Sequence, residues 1–322
     1  MKVLFTCDLH GKKHLYAKML ELVLQSGADC IIVGGDLFPT YIANPLGLIT
    51  GNAGFQEGLK AQNDFIDDFL APTIHYFMRS HPDISLLYTP GNHDWVAAVN
   101  HLQERLPEAV CLHGNTLSLN GLSFSGYGCV TDSSFWAKDY VRRDRKDSLP
   151  VPSRYAFVSE GNRLRPSEAG EYALRHPSIE EELSGVVPEN PSKTVCIFHS
   201  PPFDTGLDTL YDGRPIGSVS VRGFIEKHQP MMSLHGHIHE SPYMSGIFST
   251  RIGSCLAVNP GHSSRSLHAA VFDTEDPEGS ILHSIFRKTP ISKNLSGRLL
   301  DRYGRRIKSL FMQKALSAKG SR

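Results

Sequence analysis

Five short polar segments, each placed directly after an apolar run, constrain this chain more than any other feature. They are Asp8-Leu9-His10, Gly35-Asp36, Gly91-Asn92-His93-Asp94, the single His199, and Gly236-His237-Ile238-His239. The runs before them are Val3 to Cys7, Cys30 to Val33, Leu86 to Tyr88, Thr194 to Phe198 and Met231 to Leu234. Such continuously apolar runs are the mark of strands buried on both faces. Between the first two, Leu15, Met19, Leu22 and Val23 recur at helical spacing until Gly27 ends the pattern. Phe65, Ile66, Phe69, Ile74 and Phe77 predict another helix, with a kink or break at Pro72. Alternation of strand and helix predicts an α/β fold with a largely buried sheet. In open α/β sheets the loops at the carboxyl ends of strands converge on one crevice. The five segments are therefore candidates for a single site.

The donor types narrow its chemistry. Asp8, His10, Asp36, Asn92, His199, His237 and His239 make seven side chains offering carboxylate, imidazole and amide donors, with no thiolate. That set suits borderline to hard divalent metals such as manganese, iron or zinc. Two ions sharing one bridging carboxylate would use all of them. Along an extended strand end, alternation points His237 and His239 the same way. Three consecutive polar side chains, Asn92-His93-Asp94, have no packing purpose at a strand end.

In this order the segments resemble the pattern of the calcineurin-like metallophosphoesterase superfamily: Asp-x-His, Gly-Asp, Gly-Asn-His-Asp/Glu, His, Gly-His-x-His. The resemblance covers roughly residues 1–262. It implies a four-layer α/β/β/α sandwich with two central mixed sheets and a dimetal site at the strand ends. It implies one metal on Asp8, His10, Asp36 and His239, and a second on Asp36, Asn92, His199 and His237, with Asp36 bridging. His93 and Asp94 are implied catalytic, His93 facing the scissile phosphate and Asp94 orienting its ring. The cofactors implied are two divalent or trivalent ions, manganese first, with iron, zinc, nickel or cobalt also compatible. The implied reaction is attack of metal-bound hydroxide on phosphorus. A phosphodiester is favoured over a phosphomonoester or nucleotide, with nuclease action less favoured and a non-catalytic metal-binding scaffold the alternative of another class. Where serine/threonine phosphatases carry Asp-Arg-Gly, this chain has Leu37-Phe38-Pro39-Thr40, which lacks the phosphate-gripping arginine.

A domain over 1–290 is expected. Asn120-Gly121 between Leu117 to Leu119 and Leu122 to Phe124 predicts a hairpin. The stretch at about 132–191, rich in charge and proline, reads as a lid-like insertion or as long surface loops. After Tyr243, antiparallel strands are expected up to about Phe286. The tail, 291–322, is basic and places Leu299, Tyr303, Ile307 and Leu310 on one helical face. Asp208 and Arg222 are candidates for a specificity role and His262 for a substrate contact. Cys7 and His235 read as structural. The 33 basic and 33 acidic residues balance, so charge does not favour nucleic acid as partner over a small phosphate ester. Six cysteines without a Cys-x-x-Cys pair, no long apolar span and no signal-like start lead to the expectation of a cytoplasmic protein with free thiols.

Overall fold

The computed structural model describes residues 1–40 and 55–286. The basic tail lies outside the described residues. The first half builds β1 (Lys2–Thr6), α1 (Lys13–Ser26), β2 (Cys30–Gly34), α2 (Phe55–Phe65), α3 (Ala71–Ser80), β3 (Ser85–Thr89), α4 (Val96–Arg105) and β4 (Val110–Cys111). Helix α1 stops where Gly27 takes the left-handed conformation, with φ 65°, and its N–H reaches back to Leu24. No break occurs at Pro72. A π-helical turn, Ile66–Leu70, joins α2 to α3, and Pro72 falls in the first turn of α3. There its missing N–H costs little.

Next come the hairpin β5 (Thr116–Leu119) and β6 (Leu122–Tyr127), then the short β7 (Val130–Thr131) and β8 (Val141–Arg142). Asn120 and Gly121 both adopt positive φ, 51° and 76°, as a two-residue hairpin turn of the right twist requires. The stretch 132–191 is not bare loop. It carries the ladder of β9 (Phe157–Glu160) with β10 (Arg163–Pro166), and the helices α5 (Ala169–Arg175) and α6 (Ile179–Ser184). It buries Ala137, Tyr140, Leu164, Ile179 and Leu183 against the body. The chain continues through β11 (Thr194–Phe198), α7 (Val219–His228), β12 (Met232–Leu234), α8 (Ser241–Ser245), β13 (Ser249–Ile252), β14 (Cys255–Val258), β15 (Ala269–Asp273), α9 (Pro277–Ser280) and β16 (Leu282–His283).

Two six-stranded mixed sheets form the centre of the described residues, ordered β16-β15-β1-β2-β3-β4 and β13-β14-β12-β11-β6-β5. In the first, β1 to β4 run parallel and β15 pairs antiparallel with β1. In the second, β6, β11, β12 and β14 run parallel, and β5 and β13 are antiparallel edges. The expected antiparallel run after Tyr243 is thus only partly formed, because β14 joins β12 in parallel and β15 crosses to the other sheet.

Alternation within each strand explains the layers. Val3, Phe5, Ile32 and Leu87 meet Val195, Ile197, Leu234 and Val258 between the sheets. Leu4, Ile31, Val33 and Leu86 face the other way and pack with Leu15, Met19 and Val23 of α1. On the second sheet Phe198 turns outward against Phe224 of α7, with ring centroids 5.4 Å apart. Each fully buried side chain of this size contributes about 1.5–3 kcal/mol. The result is helix, sheet, sheet, helix. Among the described residues no helix is long and apolar enough to cross a membrane.

Candidate metal centre

Both sheets deliver polar residues to the same edge. Asp8 follows β1, Asp36 follows β2, Asn92 and His93 follow β3, His199 follows β11, and His237 and His239 follow β12. The turns that carry them are strained. Asp8, His10, Asp36 and His237 all have positive φ, between 46° and 66°, in a region that side chains other than glycine seldom adopt. The turns stabilise one another. Asp8 N–H donates to the Gly35 carbonyl at 2.9 Å, His10 N–H to Asp36 at 2.8 Å, and Gly11 N–H to Leu37 at 2.9 Å. The glycines are needed for closeness. A Cβ on Gly35 would collide with the His199 ring, and one on Gly91 with Asp36 and His199.

Ligating atoms of Asp8, His10, Asp36 and His239 all lie within 4.8 Å of one another. His239 Nε2 is 3.2 Å from Asp8 Oδ1, and His10 Nε2 is 3.7 Å from Asp36 Oδ2. The two ring nitrogens, His10 Nε2 and His239 Nε2, face each other at 3.2 Å. Beside this group His199 Nε2 stands 3.4 Å from Asp36 Oδ1, and the His237 ring centroid lies 5.3 Å from that of His199. Asp36 touches both groups.

The buried carboxylates and the histidines set one another's ionisation. Burial would raise Asp8 and Asp36, yet the surrounding histidines outweigh it and hold both below the ordinary carboxylate range. Burial pulls His10 down to about 4 and His237 down to about 3. His199 goes the other way: burial opposes its charge, but Asp36 and Asp8 lift it to about 9. Three polar atoms, Asp36 Oδ2, Asn92 Oδ1 and His199 Nε2, are buried without a hydrogen-bond partner. Buried charges are paired or coordinate metals, and an unsatisfied buried acceptor costs about 1–3 kcal/mol. The oxygen and nitrogen donors, their closeness and the orphaned atoms all fit metal ions. The mouth is on the imidazole side: Asp8, Asp36 and His199 are sealed, whereas the His93 and His239 side chains are 21% and 33% exposed.

The expected partnership of Asp94 with His93 is not formed. Asp94 is fully buried, and its carboxylate accepts the backbone N–H groups of Leu37, Phe38 and Gly91 at 3.1, 3.0 and 2.9 Å. It pins the Asp36 turn to the Asn92 turn. The partner of the His93 ring is instead Thr40, whose Oγ1 lies 3.0 Å from Nδ1. Gln62 on α2 was also beyond the reach of sequence patterns. Its Nε2 donates to the His93 carbonyl at 2.7 Å, and its Oε1 accepts from Trp95 N–H at 3.1 Å. Phe135, from the 132–191 stretch, lies against His93 with centroids 4.5 Å apart.

Asp208 and Arg222 brace the loop that follows His199. Asp208 is buried and accepts N–H groups of Asp204, Thr205 and Gly217, while Arg222 donates to the carbonyls of Phe203 and Asp204. His262 does reach the cluster, its ring 4.8 Å from His239 and 5.3 Å from His10. His235 faces away, bonded to the Ser200 carbonyl and Ser233 Oγ, and Cys7 packs between the sheets.

A family model described as calcineurin-like phosphoesterase matches residues 1–241. No curated protein matches the sequence. One solved structure is 18% identical, with 88% of this chain and 98% of its own covered, at a TM-score of 0.57. The crystal structure of TT1561 of Thermus thermophilus is also 18% identical, covering 88% of this chain and 97% of its own, at 0.50. At such identities the likeness is one of fold.

Proposed function

The chain belongs to the calcineurin-like phosphoesterase family and is a metal-dependent phosphoester hydrolase; from that premise we propose that it cleaves phosphodiesters. The observation that carries this reading is the lining of the mouth. The ion pairs of Asp8 and Asp36 are with histidines, and His93 stands at the opening with Phe135 against its ring. The chain after Asp36 runs Leu37-Phe38-Pro39-Thr40, without an arginine, and Thr40 turns to the histidines. A phosphomonoester near neutral pH is largely a dianion and calls for fixed cations. A diester is a monoanion and needs less positive charge around it, while its leaving alkoxide still needs a proton donor such as His93.

Asp8, His10, Asp36 and His239 would hold one ion, and Asp36, Asn92, His199 and His237 a second. Bound ions would supply Lewis-acid polarisation of the phosphoryl group and an activated water at neutral pH. Manganese is the first choice, since oxygen and imidazole donors accept it and availability selects among such metals. His93 would donate from Nε2 to a phosphoryl or leaving oxygen. Phe135 gives the ring an apolar wall that limits water there. Asp94 keeps the two ligand-bearing turns in register, so its role is positioning. Residues 1–290 would act as one catalytic domain, with 132–191 flanking the mouth through Phe135. The substrate is a small diester.

The test is hydrolysis of bis(p-nitrophenyl) phosphate against p-nitrophenyl phosphate by metal-stripped protein reloaded with manganese. Turnover should favour the diester and fall about 100-fold or more in His93→Ala with bound metal retained. Preference for the monoester would sink the proposal.

A further inference from the structure

Thr40 sits where two histidines of different duty meet. Its Oγ1 lies 2.8 Å from Nδ1 of His10 and 3.0 Å from Nδ1 of His93. The two rings are edge to face, with centroids 5.0 Å apart. The contact is held from behind. Gln62 Nε2 donates both to the Pro39 carbonyl, at 3.3 Å, and to the His93 carbonyl, at 2.7 Å. Asp94 fixes Leu37 and Phe38 on the same turn.

A threonine hydroxyl has one proton and two lone pairs, and a neutral imidazole carries its single proton on one nitrogen. The directions of the two hydrogen bonds are therefore linked. His10 Nε2 points into the acidic cluster, 3.2 Å from His239 Nε2. To ligate a cation there, Nε2 must be bare, which leaves the proton on Nδ1 to be donated to Thr40. The hydroxyl proton is then available to His93 Nδ1, which accepts it only if bare. The proton of His93 then sits on Nε2, the atom 3.9 Å from Asp36 Oδ2 at the mouth.

We propose that Thr40 is a positioning residue that passes the tautomer of His10 to His93, so that cation binding at His10 makes His93 present Nε2–H to the substrate. The proposal rests on the functional reading above. A ring that changes tautomer gives one proton to solvent and takes one back at the other nitrogen, so its charge is unchanged and the hydrogen-bond direction is what Thr40 sets. The competing arrangement has Nδ1–H on both rings, Thr40 accepting twice, and its own proton turned outward.

Nitrogen-15 NMR of the histidine rings in the full-length protein loaded with zinc tests the relay, with the His93 signals assigned by their loss in His93→Gln. The proton of His93 should be on Nε2 in the zinc-loaded wild type and should lose that preference when zinc is stripped, a comparison that needs no variant. Thr40→Val and Thr40→Ala should lose it even with zinc bound, and Thr40→Ser should keep it. On the manganese enzyme with bis(p-nitrophenyl) phosphate, Thr40→Val should lower kcat roughly 10–100-fold at similar KM and metal content, with Thr40→Ser restoring most of it. A proton on Nδ1 of His93 in the zinc-loaded wild type would overturn the relay, as would a Thr40→Val spectrum equal to wild type or no change on stripping. Absence of hydrolysis by the wild type with any divalent metal would remove the functional reading instead, and the tautomer spectrum would still decide the relay.

Discussion

Two buried histidine clusters stand among the described residues, and their difference separates a candidate ligand from a packed side chain. Beneath Pro260, His268 Nδ1 and His283 Nε2 both reach the Pro260 carbonyl, at 3.0 and 2.9 Å. The remaining nitrogens are also satisfied: the Tyr243 hydroxyl meets His268 Nε2 at 2.9 Å, and His283 Nδ1 accepts the N–H groups of Ile285 and Phe286. At the strand ends His199 Nδ1 is bonded to the Gly34 carbonyl at 2.8 Å, but Nε2 has no hydrogen-bond partner. Asp36 Oδ2 and Asn92 Oδ1 share that condition. Burial is similar in the two places. What differs is whether the protein itself completes the hydrogen bonding, and a cluster left incomplete in a sealed site is built for something else to complete it.

The comparison breaks most visibly at Asp36. Asp36→Asn should lower diester hydrolysis at least about 1,000-fold, because the residue touches both ligand groups and positions His93 through its N–H at 2.8 Å. Elemental analysis should show less than two ions per chain. Near-normal metal content would mean that the orphaned oxygen is not a ligand.

The packed cluster should answer to acid. Burial holds His283 down at about 4, with the Pro260 contact opposing and His268 reinforcing the shift. Its folded value lies below the unfolded value of about 6.5. The unfolded state therefore takes up the proton first. The stability from neutral His283 is present above about pH 6.5 and is lost as pH falls through about 4. His283→Asn should reduce that acid sensitivity by at most about 3 kcal/mol at pH 4, measured by urea unfolding across pH. An identical pH slope in variant and wild type would show that the ring is not held neutral.

Metal reloading sharpens the contrast from the other side. At one hundred times its dissociation constant, manganese should stabilise the stripped protein by about 2.7 kcal/mol. His283→Asn should keep this gain at neutral pH and Asp36→Asn should lose it. Equal gains in all three proteins, read from thermal or urea midpoints, would place metal binding elsewhere.

Much of this architecture was legible in the residues. The apolar runs before Asp8, Asp36, Asn92, His199 and His237 are all strands, because a strand buried on both faces must be apolar at every position. Their convergence followed from parallel pairing, which puts the loops after the strands on one edge. The 132–191 stretch was less legible. Its buried residues are scattered between short elements, so no period marks them. Lys138 illustrates the difficulty: a lysine normally reads as surface, yet here it is sealed with Asp132 at 3.0 Å.

The candidate donors, their order along the chain and the strand ends that carry them were determined by the amino-acid sequence, because composition and spacing are local properties. Tertiary structure alone decided the partners of those donors. Asp94 and His93 are adjacent in sequence, yet Asp94 turns to the N–H groups of Leu37 and Phe38, and His93 turns to Thr40, 53 residues away. A hydrogen bond depends on where a donor and an acceptor come to rest within about 3 Å. That placement is set by the packing of two sheets and a helix, and no neighbouring residue encodes it.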